Sequence, residues 1–322
     1  MTFRPRTRAF SLIAAVLGLA LFVYAVRRAG VAEILDGIRR VGWGLVLIIA
    51  LGGARFLLRA QCWRLCVRRD AELTFSHAFS AFLAGDAVGS VTPLGLLASE
   101  PTKIFLTRHH LATRESVASL TLENLLYSAS VIAMIALGGG LLLATATLPV
   151  ALRQAVLAAV AVALVALLVL PLVMRTRTGG GALVGLTTRL AALAAVADEV
   201  RRFTREDPGR LLQVFALDLI YHALAVLEVF VTLGWLMGDR APTLAMAIVF
   251  ETLNRVATVV FKFVPFRVGV DEALTGALAP LVAVDPVSGV ALAVVRKVPR
   301  LFWAGVGLVT IAFHPAKTNG ST

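Results

Sequence analysis

The chain has few charged residues and few of the residues that serve in catalysis or metal binding. Only 16% of its 322 residues are charged and 59% are hydrophobic, whereas soluble domains are about 25% charged and about half apolar. This scarcity of charge excludes an ordinary soluble surface. Its two cysteines, Cys62 and Cys66, lie four residues apart in an apolar stretch. We interpret them as small hydrophobic residues, because no further metal ligands accompany them.

Sequence motifs of the common enzyme classes are also missing. The chain contains no G-x-x-x-x-G-K-[ST], no H-E-x-x-H and no G-x-S-x-G, the motifs of nucleotide-driven, zinc-dependent and serine hydrolase chemistry. The five histidines are scattered along the sequence. We therefore assign no catalytic residue, no metal ligand and no cofactor, and we predict that the chain is not an enzyme. A membrane transferase that works with a single Asp, Glu or His remains an alternative.

Long apolar runs take the place of these features. A helix needs about 20 apolar residues to cross roughly 30 Å of hydrocarbon, and a backbone in lipid must satisfy its own hydrogen bonds. Six runs are long enough, or nearly so. We predict an all-α, polytopic integral membrane protein with about six spanning helices, in one transmembrane domain over residues 1–322. The runs are Leu12–Val26, Val41–Leu58, Val131–Leu143, Ala155–Met174, Leu211–Met237 and Val287–Phe313.

Acidic residues are in deficit, and the net charge is +12. In a membrane protein, cytoplasmic loops carry such an excess, so we do not expect nucleic acid as a partner. Arginines precede the first run, which has no convincing cleavage site, and we interpret it as a retained helix. The sequence predicts a bacterial inner-membrane protein with both termini cytoplasmic. It also predicts a basic cytoplasmic loop at 175–209 and a short interfacial helix on the outer side within 27–40.

Two apolar segments, 76–100 and 243–284, are interrupted by glycine and proline and make no clean spanning helix. Each contains a proline, five further residues, then Ser or Asp, then Glu: Pro93 to Glu100 and Pro265 to Glu272. Paired broken segments are typical of the midplane site of transporters. We predict two re-entrant hairpins in an inverted repeat, with repeat 1 at about 41–145 and repeat 2 at about 210–313. Two coincidental loop connections are the alternative.

Charged residues recur within the apolar helices, where each is costly unless it meets a partner or water. They fall on helical stripes, such as Ser116, Ser119, Glu123, Tyr127 and Ser130. One interpretation is a hydrated cavity that receives a polar headgroup or a coupled proton. The other is a set of buried ion pairs that hold helices together, and Glu251 could pair with Arg255 four residues later. The candidate substrate-binding residues are Asp86, Pro93, Ser99, Glu100, Glu123, Tyr127, Arg255, Lys262, Pro265, Arg267, Asp271, Glu272 and Arg296.

At the two interrupted segments the chain resembles the flippase-like membrane domain of bacterial lysylphosphatidylglycerol synthases, which also occurs alone. The resemblance covers Gly85 to Glu100, Pro265 to Ala273 and the helix layout from about residue 8 to 313. This chain has Ala98-Ser99-Glu100 where the family often has Gly-Gly-Glu. The resemblance implies that the two hairpins meet and line a lipid path. It implies lipid handling without aminoacyl transfer, since no soluble synthase domain is recognisable.

Together these observations favour a lipid flippase or transporter that moves or binds a polar headgroup through a charged intramembrane cavity. The expected ligand is a membrane lipid with an anionic or zwitterionic headgroup, or an isoprenoid lipid, because both signs of charge are available. The alternatives are a membrane enzyme on a lipid-linked substrate and a non-catalytic lipid-binding subunit. A second copy of the chain or an enzyme of lipid synthesis is the protein partner to expect.

Overall fold

The structure is a computed structural model that describes residues 31–68, 71, 73–92, 95–175, 201–203, 205–261 and 263–312. Within these ranges every regular element is helical. The predicted first spanning helix, Leu12–Val26, and most of the predicted basic loop at 175–209 lie outside the described residues. The helices are α1 (Val31–Val41), α2 (Gly44–Cys66), α3 (Phe75–Val91), α4 (Gly95–Thr107), α5 (Thr113–Thr145), α6 (Val150–Arg175), α7 (Pro208–Leu236), α8 (Leu244–Val260), α9 (Val270–Leu278), α10 (Pro286–Val295) and α11 (Lys297–Ala312).

Four helices in the described part of the chain are long and apolar enough to cross a membrane: α2, α5, α6 and α7. Each contains one of the predicted apolar runs, although α5 is much longer than its run at 131–143. The predicted interfacial segment is also helical, as α1, and its Asp36, Arg39 and Arg40 are exposed. The chain is therefore an integral membrane protein, as the apolar runs predict, and the regular structure of its described residues is entirely helical.

The predicted last spanning helix, from Val287 to Phe313, is two helices in the structure. α10 ends at Val295 and α11 begins at Lys297, with Arg296 between them. Pro299 accounts for the break. A proline ring has no N–H and collides with the carbonyl four residues earlier, here that of Val295. Hydropathy does not register this interruption, because most residues from Val287 to Phe313 are apolar.

The first interrupted segment forms a helical hairpin of α3 and α4. α3 ends at Val91, and Thr92 is extended, with ψ 143°, because a residue before proline avoids the helical conformation. α3 has 17 residues, about 26 Å at 1.5 Å per residue, which is short of a full crossing. The two helices lie almost backbone to backbone: a Cβ added at Gly95 would lie 2.4 Å from the carbonyl oxygen of Gly89.

The second interrupted segment turns through a strained backbone between α8 and α9. Pro265–Arg267 is a short 3-10 turn in which Phe266 and Arg267 have φ of 48° and 50°, and Gly269 follows at 82°. Left-handed φ values at consecutive non-glycine residues are costly and persist only where other contacts fix them. Here the fixing contacts are those of the Arg267 guanidinium, described below. This turn packs against α3 of the first hairpin.

Contacts between helices come in matched sets. We pair the helices of the two predicted repeats as follows: α2 with α7, α3 with α8, and α5 with the α10–α11 pair. Under this pairing the α3–α11 contact corresponds to the α8–α5 contact. The α2–α3 contact likewise corresponds to α7–α8, and α2–α5 to α7–α10; all six occur. This pattern is the one expected of the predicted pair of repeats.

The helices differ in how much they face the protein interior. In α5 the polar stripe is turned inward, since Ser116, Glu123 and Ser130 have no exposed surface. In α6 only 6% of the apolar window at 150–169 is buried, and Leu168 is 71% exposed. We infer that α6 lies at the lipid-facing edge of the bundle and that the polar face of α5 lies at its centre.

Candidate functional site

Five charged side chains form a continuous row of ion pairs through the middle of the bundle, which we call the central ladder. Its order is Arg55, Glu228, Arg296, Glu251, Arg255. Arg296 lies at the break between α10 and α11 and contacts both carboxylates, with Nε 3.1 Å from Glu228 Oε1 and Nη2 2.6 Å from Glu251 Oε2. Arg55 pairs with Glu228, and Arg255 with Glu251. The ladder thus joins α2, α7, α8 and the α10–α11 break.

Two tyrosines extend the ladder towards α5. Arg255 Nη1 donates to the Tyr127 hydroxyl at 2.9 Å, and the Tyr221 hydroxyl lies 3.5 Å from both Arg55 Nη2 and Arg255 Nη1. The two rings meet edge to face, with centroids 5.6 Å apart. Tyr127, one of the predicted site residues, therefore connects the ladder to the buried face of α5.

A second group, the carboxylate triad, lies on the other side of Tyr127. It consists of Arg59 on α2, Glu123 on α5 and Asp218 on α7. Arg59 Nη1 is 2.8 Å from Glu123 Oε1 and 3.6 Å from Asp218 Oδ1. Both carboxylates have no exposed surface. The guanidinium stacks over the Tyr127 ring at 3.7 Å, a favourable cation–π distance.

A third group, the hairpin cluster, holds the strained turn of the second interrupted segment. Asp271 Oδ2 forms ion pairs with Arg300 Nη1 at 2.7 Å, Arg267 Nη2 at 3.4 Å and Lys297 Nζ at 3.6 Å. Lys297 also pairs with Glu272 at 2.8 Å, and Glu272 accepts the Gly269 N–H at 2.8 Å, which caps α9. Asn254 of α8 accepts from Arg267 and Arg300 through Oδ1, at 3.0 and 2.8 Å.

The first hairpin carries its own charges. Lys103, which is 3% exposed, pairs with Glu100 at 2.9 Å and lies 4.0 Å from the Phe82 ring. Asp86 is half-buried on α3 and has no ion pair or hydrogen bond among the described residues. The cations that act on it electrostatically include Lys103 of its own hairpin and Arg300 of the hairpin cluster. The charges of the first hairpin therefore lie within electrostatic range of the hairpin cluster.

The charges of these four groups cancel in total, but they do not cancel within each group. The central ladder and the hairpin cluster each have three cations and two carboxylates, whereas the triad and the first hairpin each have one cation and two carboxylates. Eight basic side chains thus face eight acidic ones. Separated excess charges of opposite sign suit a ligand that carries both signs, or small ions that fill each imbalance.

A small cavity opens between α8, α9 and α10 beside the hairpin cluster. Its volume is about 20 Å³, which is room for about one water molecule. Its polar wall consists of Asn254, Asp271, Arg296 and Arg300, while Phe250, Leu253 and Leu292 are among the side chains of its apolar wall. The lining thus combines charged and apolar side chains, and the space is too small for a lipid headgroup in this state.

Most of the predicted site residues lie within these groups. Glu123, Tyr127, Arg255, Arg267, Asp271, Glu272 and Arg296 belong to or contact the three connected groups, and Asp86 and Glu100 belong to the first hairpin. Ser99 is buried where α4 packs on Gly89. The Pro265 backbone lies in the strained turn, and its side chain is not described. Pro93 and Lys262 lie outside the described residues.

Several participants are missing from the predicted site. All are charged residues within the apolar segments, but their charge and position alone do not single them out: Arg55, Arg59, Asp218, Glu228, Lys297 and Arg300. Lys103 was assigned to a polar inner segment, yet it is buried in α4. Its signal is the i,i+3 spacing from Glu100 within an apolar sequence. Asn254 carries no charge, and its role as a shared acceptor follows only from the three-dimensional contacts.

Comparison with known proteins identifies the protein family. No curated protein and no solved structure matches the chain. One family model, described as the lysylphosphatidylglycerol synthase TM region, matches residues 11–306. The matched range includes both interrupted segments and every charged group described above. The chain therefore belongs to the family of the lysylphosphatidylglycerol synthase transmembrane region.

Proposed function

We propose that the chain binds a lipid by its polar headgroup and moves that lipid across the inner membrane. Membership of a family named for a phospholipid synthase supports a role in lipid metabolism or transport. The observation that carries the proposal is the cavity whose lining combines the charged Arg300 and Asp271 with the apolar Phe250 and Leu292. In an opened state of this site, the charged side chains would contact the headgroup, and the acyl chains would stay against apolar side chains and the surrounding lipid.

The hairpin cluster is the proposed headgroup site. It has three cations for two carboxylates, so it favours one further negative charge. Arg300 is the cation most accessible to that negative charge, because its side chain is 29% exposed while those of Arg267 and Lys297 are 11% and 12% exposed. A guanidinium binds the oxygens of a phosphate or carboxylate through paired hydrogen bonds.

Asp86 is the proposed contact for the cationic part of a zwitterionic headgroup. It is the acidic residue near the hairpin cluster that has no partner among the described side chains, and it lies in the field of Arg300. An ammonium group bound there would place the phosphate towards the second interrupted segment. The proposed ligand is therefore an anionic or zwitterionic lipid.

The structure corresponds, in this proposal, to a closed state of the transporter. The cavity is too small for a headgroup, and the ladder pins four elements together. A headgroup that competes for Arg296 and Arg300 weakens those ion pairs and lets the two interrupted segments separate. The matched contacts between helices support two inverted repeats that rock against each other around this site.

The test is transbilayer movement of fluorescent phospholipids in proteoliposomes, read by the fraction that a membrane-impermeant reductant quenches. We expect Arg300→Gln to slow movement at least tenfold, since a charge-assisted hydrogen bond contributes about 1.5–3 kcal/mol. The matched control is Arg153→Gln, which removes an exposed arginine at the start of α6. Movement that is equal in both variants and in the unmodified chain contradicts the proposed site.

A non-catalytic lipid-binding subunit is the second candidate, and the near-complete pairing of the buried charges favours it. It predicts bound lipid without transbilayer movement, and a stable partner after purification in mild detergent. We propose that no covalent chemistry takes place in the chain. Conversion of a lipid donor by the purified protein would instead support a membrane enzyme.

A further inference from the structure

The carboxylate triad has a charge imbalance that no neighbouring group corrects. One guanidinium, that of Arg59, serves two carboxylates, those of Glu123 and Asp218. Both acids have no exposed surface, and Arg59 is 7% exposed. With all three ionised, the triad would hold one excess negative charge where no water reaches it.

The geometry leaves the carboxylates incompletely satisfied. A single nitrogen, Arg59 Nη1, approaches both acids, so neither receives a paired contact. Among the described residues, neither oxygen of Glu123 and only one of Asp218 has a hydrogen-bond partner of acceptable geometry. That one partner is the Cys62 thiol, with Sγ 3.8 Å from Asp218 Oδ1. An ionised carboxylate normally accepts several hydrogen bonds, whereas a protonated one needs fewer.

The surrounding charges are already committed elsewhere. Lys103 pairs with Glu100, and Arg255 pairs with Glu251. His222, one turn after Asp218, contacts Ser130 through Nε2 at 3.0 Å, and its Nδ1 has no partner among the described residues. The titratable and charged groups that face the triad from the helices packed around it are Cys62 and Cys66 on α2, Asp86 on α3, Glu100 and Lys103 on α4, Tyr127 on α5, Tyr221 and His222 on α7 and Arg255 on α8.

A proton is the ligand that this geometry accommodates. Burying an uncompensated carboxylate is costly, and a buried acid avoids the cost by taking up a proton. The guanidinium 2.8 Å from Glu123 disfavours a metal cation at the same place. We propose that the carboxylate triad is a proton-binding site in which Glu123 and Asp218 hold one proton between them, and that release of this proton is coupled to lipid movement.

The coupling runs through Tyr127. The Arg59 guanidinium stacks on the Tyr127 ring at 3.7 Å, and the Tyr127 hydroxyl accepts a hydrogen bond from Arg255 of the central ladder at 2.9 Å. If the ladder opens to admit a headgroup, Tyr127 loses that donor and Arg59 loses its support. Water then reaches both carboxylates and accepts the proton, and closure takes a proton back from water on the other side. This coupling, unlike the proton site itself, rests on the proposed function.

Infrared spectroscopy of the purified protein in lipid tests the site without any transport. We expect a carbonyl band of a protonated, non-hydrated carboxylic acid at neutral pH. Glu123→Gln and Asp218→Asn should each abolish it, because either change leaves one carboxylate paired with Arg59 and fully ionised. The matched control, Asp239→Asn, removes an exposed carboxylate in the turn after α7 and should leave the band unchanged. A band whose intensity is unchanged in either triad variant, or that is absent from the unmodified chain, overturns the proton site; a residual band that Asp86→Asn removes belongs to the first hairpin.

Proteoliposomes with a pH difference between lumen and medium test the coupling. A gradient of one pH unit should change the rate of lipid movement by up to about tenfold, and either triad variant should remove that dependence while bound lipid is retained. Lipid movement that ignores the gradient in the unmodified chain overturns the coupling and leaves the transport function intact. Absence of both lipid movement and bound lipid contradicts the transport function, and the infrared band still decides the proton site.

Discussion

Arg296 and Glu251 form an ion pair, with Nη2 2.6 Å from Oε2, at the point where the last helical segment is broken. At the break Arg296 keeps helical backbone angles, its N–H bonds the Leu292 carbonyl, and its guanidinium contacts Glu228 as well. Pro299 causes the interruption, and Arg296 beside it bridges α7 and α8 through two carboxylates. A buried arginine that links two helices thus lies at the break in the last segment.

Arg296→Gln should lower the stability of the folded protein by about 3 kcal/mol, at the lower end of the cost of breaking a buried pair, because each carboxylate retains one arginine. The measurement is reversible unfolding in mixed detergent micelles, followed by tryptophan fluorescence. Arg153→Gln serves as the control, since Arg153 is exposed on α6. Equal stability of the two variants would show that Arg296 contributes no structural pairing.

A double-mutant cycle can isolate the pair itself. Glu251→Gln, Arg296→Gln and the double variant should give a coupling energy of about 1–3 kcal/mol, in the range found for contacting residues. The same cycle between Glu251 and Lys103, for which no mutual contact is found, should give a value close to zero. A coupling energy near zero for the Glu251–Arg296 pair would mean that their contact does not contribute to stability.

The packing of the second interrupted segment depends on a glycine with no room for a side chain. A Cβ at Gly289 in α10 would lie 2.7 Å from the carbonyl oxygen of Thr275 and 2.8 Å from the Ala279 Cβ. Gly289→Ala should therefore cost about 1–3 kcal/mol by overpacking. Gly305→Ala in α11, where no atom lies within 4 Å, should stabilise by up to about 1 kcal/mol through helix propensity.

These two glycine variants differ only in their surroundings, which makes them a sharp test of the close approach between α9 and α10. Both can be measured by thermal unfolding in the same detergent. If Gly289→Ala is as stable as the unmodified protein, α9 and α10 do not approach each other as closely as the structure has them.

The sequence predicts the helices better than their partners. Glu123 was placed on a buried polar stripe because the 3.6-residue period is local. The partner of Arg55, by contrast, is Glu228, 173 residues away, and no local pattern in one sequence encodes that pairing. The sequence places Lys103 with Arg108 and Arg114 in a segment on the inner side of the membrane, whereas the structure has it buried in α4. The break at Arg296 follows from Pro299, which a hydropathy average does not weigh.

The orientation of the bundle is open to a direct test with thiol labelling. The two native cysteines are 1% and 4% exposed, so they should stay unreactive and provide a silent background. His109→Cys and Asp239→Cys introduce thiols in connections after α4 and after α7, at positions that are exposed. With both termini cytoplasmic, we expect a membrane-impermeant maleimide to label residue 239 in intact cells and residue 109 only after permeabilisation.

Labelling of both residues in intact cells contradicts the predicted topology. The reverse result would invert it and place the basic connections outside, against the usual excess of Lys and Arg on the cytoplasmic side.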